Sequence, residues 1–165
     1  MKDRELTVGP RRRAREIALQ ILHQMDVGGA PQLEAKQMIA RYFAHLAPET
    51  APVSDVEEGG GGGADSAARV DRALVDELVG GVADHRAQID AQLTTLSRNW
   101  RLERMGIVER NVIRIALYEL GHAPNVPVPV IINEAVELTK RYGTAEGVAF
   151  VNGLLDRAAT EMGRT

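Results

Sequence analysis

Cysteine is absent from the 165-residue chain. That excludes a disulfide framework, a thiolate metal site and a cysteine nucleophile, and it fits a reducing, cytoplasmic setting. Aromatic residues make up only 4%, so leucine, isoleucine, valine and alanine must build the core. No apolar run reaches the roughly 18 residues that a membrane span requires, and the start of the chain carries arginines without the apolar segment of a secretory signal. The alternation of apolar and polar residues that marks strands is missing too, as is any internal repeat of about 20 to 50 residues. Chemistry is equally scarce. His23, His45, His85 and His122 stand far apart along the chain with no HExxH spacing, Asp76–Glu77 and Glu57–Glu58 fall in surface or loop contexts, and no nucleophile elbow occurs. No metal, no cofactor and no enzymatic activity are expected.

What is present is helical periodicity. In "GPRRRAREIALQIL" and the residues after it, Ala14, Ile17, Ala18, Ile21, Leu22 and Met25 recur on one helix face. A second helix follows "GGAP", with Leu33, Met38, Ile39, Tyr42, Phe43 and Leu46 as its apolar positions. Residues 47–66, with two prolines, an acidic pair and five successive glycines, read as a flexible surface loop. No Gly-Lys-Ser/Thr follows the glycines, so they are no phosphate cradle. Helical spacing resumes with Val70, Leu74, Val75, Leu78, Val79 and Val82, then with Ile89, Leu93, Leu96 and Trp100, and Gly80–Gly81 suggests a bend between the two. "GIVERNVIRIALYELGH" is apolar nearly all round, the mark of a central, buried helix. "VIINEAVELTKRYG" ends with basic residues and glycine, and Thr144 can cap a last helix carrying Val148, Val151, Leu155, Ala158 and Met162. The pattern gives an all-α chain of about seven helices.

Charge is unevenly placed. The chain is −3 overall, yet residues 1–16 hold six cations against three carboxylates, which leaves −6 for the remainder. Arg11, Arg12, Arg13 and Arg15 crowd a helix N-terminus, where the macrodipole disfavours positive charge, so an anion must answer them. A nucleic-acid phosphate, a solvated and fraying helix start, and a basic segment that neutralises Glu16 and other acids all fit that pattern. A second group, Arg98, Arg101, Arg104, Arg110 and Arg114 against Glu103 and Glu109, is net +3 within 17 residues. Phe150, off the main apolar stripe of the last helix, is a candidate ring for stacking an unpaired base. Gly153, inside the same helix, points to close helix packing.

Several segments together resemble the NusB family of bacterial transcription antitermination factors: "RRRARE" with "ALQIL", "ELVGGV", "RNVIRIALYEL", "VPVPVIINEAVELTKRYG" and "FVNGLLDRAA". The resemblance implies seven helices in two packed subdomains, with residues 1–9 a tail and 10–165 a single helical domain. It implies a non-enzymatic factor that binds boxA-type single-stranded RNA of ribosomal RNA leaders, within an RNA polymerase antitermination complex. Arg11, Arg12, Arg13 and Arg15 then inherit a phosphate-binding role, and Arg114 and Phe150 match positions on the same RNA surface. The resemblance also implies a partner, the small-subunit ribosomal protein acting as NusE, with Glu103, Glu109 and Tyr118 as interface candidates. His23 stands where a tyrosine is frequent in the family. Two alternatives belong to other classes. One is the NusB-like RNA-binding domain of a ribosomal RNA methyltransferase without its catalytic half, and the other is a helical dimerisation module.

Overall fold

The computed structural model describes residues 9–28, 34–45, 70–97 and 105–164. The glycine-rich segment, Trp100, Glu103 and three arginines of the second basic group, Arg98, Arg101 and Arg104, lie outside the described residues. Among the described residues there are seven α-helices and no strand: α1 (Pro10–Val27), α2 (Ala35–His45), α3 (Arg72–Asp84), α4 (Arg86–Leu96), α5 (Ile107–His122), α6 (Val128–Tyr142) and α7 (Ala145–Glu161). None of these helices is long and apolar enough to cross a membrane.

Local chemistry sets the ends. α1 starts at Pro10, whose missing N–H and fixed φ suit the first helical position. Asp71 caps α3 by accepting from the Leu74 N–H at 3.0 Å, and Thr144 caps α7 by accepting from Gly147 N–H at 3.0 Å. The expected bend at Gly80–Gly81 does not occur. α3 runs through both glycines and the break falls at His85. Gly81 serves packing instead, because a Cβ there would overlap the Tyr118 ring of α5.

Helices α1, α2 and α3 pack on one another, and α4, α6 and α7 gather around α5. α5 joins the two groups by lying against α1 and α3 as well, so they share one core. Its burial is nearly complete: every residue from Asn111 to Leu120 is inside, as an all-round apolar helix should be. The predicted stripe of α1 is inside too, with Ala14, Ile17, Ala18, Ile21 and Leu22 buried. Gly153 departs from expectation, since a Cβ there would meet nothing within 4 Å. Nothing in the structure explains that glycine.

Candidate nucleic-acid interface

The arginines at the start of α1 lie within about one and a half helical turns, yet the four have different environments. Arg11 is exposed and forms no ion pair among the described residues. Arg12 is partly exposed and reaches α6, where Nη2 donates to Glu134 Oε1 at 2.9 Å and Nε to Oε2 at 3.1 Å. Arg13 donates from Nη1 to Glu16 Oε2 at 2.9 Å, one turn further along its own helix. Arg15 is turned inward. Its guanidinium grips Glu119 of α5 through two parallel bonds of 3.1 and 2.8 Å, and both side chains are under 5% exposed.

The anion that the sequence pattern demanded is therefore supplied largely from within. Glu16, Glu119 and Glu134 answer three of the four cations, and Arg15 is a buried tie between α1 and α5 rather than a surface contact. Arg11, Arg12 and Arg13 keep donors facing outward. Beside them the α5–α6 loop contributes Asn125, Val126 and Pro127 to an open groove of about 570 Å³ that Arg11, Arg12 and Arg15 also line. Arg164 holds that loop in place, donating to the carbonyls of Leu120 at 3.0 Å and Val126 at 2.8 Å.

Arg114 does not join this cluster. Its guanidinium is buried, donating to Asp90 at 2.7 and 3.0 Å, to Asp26 at 2.9 Å and to Asn111 at 3.0 Å. Asp26 lies thirteen residues beyond Arg13 on α1, which at the helical rise is about 20 Å along the axis. So Arg114 ties α1, α4 and α5 together at the far end of α1. Burial alone would raise the Asp26 pKa, but the charges of Arg114 and Arg86 and the hydrogen bonds from Arg86 and Asn111 hold it below its usual value. Phe150 is half-buried on α7 and packs against the core, so much of its ring is already covered.

Two of the partner candidates, Glu109 and Tyr118, also turn inward. Glu109 is buried, and its Oε1 accepts from the Thr144 N–H at 2.9 Å and from the Thr144 hydroxyl at 3.0 Å. A carboxylate at that N-terminus favours α7 electrostatically. Glycine surrounds it: a Cβ at Gly147 would come within 2.6 Å of Oε1 and one at Gly143 within 2.8 Å. Tyr118 is buried between α5 and α3, its ring stacked on His122 at 4.7 Å between centroids and 12° between planes. Burial raises the Tyr118 hydroxyl pKa, and Glu77, Asp84 and Glu119 add to the effect. His85 and His122, far apart in sequence, meet at 4.3 Å. Still, no group of three metal-ligating side chains forms among the described residues.

Residues 12–160 match the model of the NusB family. The chain belongs to the NusB family. A transcription antitermination protein NusB of Sorangium cellulosum (strain So ce56) is 41% identical over 157 residues, covering 95% of this chain and 96% of that protein. The NusB of Myxococcus xanthus (strain DK1622) is also 41% identical over 157 residues, with 95% and 99% covered. Among solved structures, T. maritima NusB superposes with a TM-score of 0.69 at 29% identity, covering 92% of each chain. A chain in a crystal structure of a plectonemic RNA supercoil aligns with a TM-score of 0.67 at 21% identity over 92% and 94%, a likeness of fold. The helical content and order expected of a NusB-like fold are those observed.

The sequence pattern missed Arg141 at the end of α6. Lys140 and Arg141 read there only as a favourable helix C-terminus, yet Arg141 crosses to α1 and donates from Nη1 to Glu16 Oε1 at 2.6 Å. Its side chain remains 56% exposed. The one cue was its charge.

Proposed function

We propose that this chain is a transcription antitermination factor that acts by binding, not catalysis: it holds boxA-type single-stranded RNA of ribosomal RNA leaders in the cytoplasm. The observation that carries this reading is the outward-facing cationic edge of Arg11, Arg12 and Arg13, extended by Lys140 and Arg141, on a body of net charge −3. A local positive surface on an acidic body attracts a polyanion to one place and repels it elsewhere. Arginine suits the task because its charge is permanent and its planar fork offers several donors to one phosphate. Arg15 and Arg114 serve this site indirectly, fixing α1 on α5 so that the exposed arginines keep their spacing. The groove bounded by the α5–α6 loop gives the strand a path past the helix start.

Phosphate contacts position a strand but carry no sequence information, so selection of one RNA element calls for further contacts. The small-subunit ribosomal protein acting as NusE is the proposed source of them, within an RNA polymerase antitermination complex. Glu109 supports a partner surface from behind, by fixing the α6–α7 corner, and Tyr118 does the same for the α3–α5 junction. Glu103 remains a direct candidate.

The test is titration of a boxA-like RNA at one salt concentration, with and without saturating ribosomal protein. Cooperative binding is expected, with RNA and partner tightening each other by the same factor, roughly 5- to 150-fold. Absence of RNA binding under both conditions would overturn the reading, and equal affinity under both would leave an independent RNA binder.

A further inference from the structure

Where α1 meets α6, a buried carboxylate organises two guanidinium groups. Glu16 is 3% exposed in its side chain and divides its oxygens, Oε2 to Arg13 at 2.9 Å and Oε1 to Arg141 at 2.6 Å. Each arginine bonds Glu16 through one Nη1 only, and their side chains are 35% and 56% exposed. One carboxylate thus fixes the separation of two cations whose remaining donors face outward. Around them Glu134 and Glu137 stand against Arg12 and Lys140, so with Arg13 and Arg141 sharing Glu16 the cations exceed the carboxylates by one. A free side chain would lose rotamer entropy on gripping a phosphate, whereas a pair already held loses less.

Next to this pair stands Tyr142. It is 36% exposed, one of three large hydrophobic residues with that much surface among the described residues, and the only aromatic one. The Arg141 guanidinium carbon lies 5.4 Å from its ring centroid, so the ring and the cation are held together. The buried Tyr42 of α2, whose hydroxyl donates to Gln20 at 2.8 Å, has its pKa raised chiefly by burial, with Arg13 lowering it and Tyr142 and Glu16 raising it. An aromatic face beside a cationic clamp is the combination that single-stranded nucleic acid requires, the ring for a base and the cations for the adjoining phosphate. A folded protein surface would offer no unstacked flat base to such a ring, and duplex RNA would hide its own.

We propose that Tyr142, with Arg13 and Arg141 held by Glu16, forms a nucleotide subsite for single-stranded RNA, in which Tyr142 stacks an unpaired base and the two arginines bind its phosphate. The subsite deepens the proposed function and rests on it. It also moves the stacking role from Phe150, which the core half covers, to a ring that solvent reaches.

The experiment is fluorescence anisotropy of an end-labelled, boxA-like single-stranded RNA with the full chain and with Tyr142→Ala, Tyr142→Phe and Arg141→Gln. Tyr142→Ala is expected to weaken binding by about 5- to 150-fold, the usual loss for one stacked base, with the salt slope unchanged. Tyr142→Phe keeps the ring and should bind as the parent does. Arg141→Gln should lower the log–log salt slope by about 0.7, one single-strand phosphate contact. If the parent binds RNA and Tyr142→Ala binds within about twofold of it, well below the loss of one stacked base, the subsite is overturned while the proposed function stands. Tyr142→Phe as weak as Tyr142→Ala would overturn the stacking role in favour of the hydroxyl. A loss confined to affinity for the ribosomal partner would overturn the subsite in favour of a protein contact. A parent that binds no single-stranded RNA would overturn the proposed function itself.

Discussion

Replacing Arg15 with glutamine separates a structural arginine from an RNA-binding one. Its guanidinium makes two parallel bonds to Glu119, and both side chains are shut away from water. Glutamine cannot span both oxygens or balance the charge, so Glu119 is left buried without its cation. Breaking such a pair from one side costs about 3–5 kcal/mol. A domain of this kind has roughly 5–15 kcal/mol in total, so the loss is a large share of it. With a urea m-value of about 2 kcal/mol/M, ordinary for a small domain, the unfolding midpoint should fall by roughly 1.5–2.5 M, read by the helix signal in circular dichroism. The double variant Arg15→Met/Glu119→Leu removes both charges and should recover most of the loss, because exchanging a buried pair for packed apolar groups is often neutral or better. RNA binding by this refolded double variant should keep the parent salt slope. An Arg15→Gln protein that melts as the parent does, or a stable double variant whose slope drops by about 0.7, would refute the assignment and return Arg15 to the phosphate contacts.

Three further outcomes are expected. The depressed pKa of Asp26 means that its contribution to stability is full above the unfolded value of 3.8 and is lost as pH falls through the lower folded value. Asp26→Asn should flatten that acid-side loss in denaturant titrations, and an unchanged pH profile would contradict the network. Gly153→Ala fills open space on α7 and should stabilise by about 0.5–1 kcal/mol in thermal melts; destabilisation would mean that the added methyl meets a neighbour after all. Glu134→Gln frees Arg12 from a carboxylate that occupies the same donors as a phosphate would, so RNA affinity should rise. A fall in affinity with the fold intact would show that Glu134 positions Arg12 instead of competing for it.

The helices were legible because apolar periodicity is a local signal that packing then confirms. α5 illustrates this: its all-round apolar pattern foretold its central place, and the structure buries it from Asn111 to Leu120. The site was legible only as a cluster of charge. Which arginines face water depends on partners that local spacing cannot reveal, since Glu119 is 104 residues from Arg15, Glu134 is 122 from Arg12 and Arg141 is 125 from Glu16. Only the Arg13–Glu16 pair, at i,i+3, could be read from the chain itself. The same limit hid the inward turn of Glu109 and Tyr118. It also misread Gly81, which admits a tyrosine ring from α5 instead of bending the chain, and no pattern singled out Gly147, which admits the Glu109 carboxylate.

The measurement that bears most directly on the RNA-binding role is the salt dependence of affinity for boxA-like single-stranded RNA, comparing the parent chain with Arg11→Gln/Arg12→Gln/Arg13→Gln. If these three cations bind phosphate, removing them should lower the log–log slope by about 2, at about 0.7 each. Because the change also takes Arg12 from Glu134 and Arg13 from the buried Glu16, helicity is followed alongside by circular dichroism and slopes are compared for folded protein. An affinity that falls with no change of slope would contradict the phosphate role of these arginines.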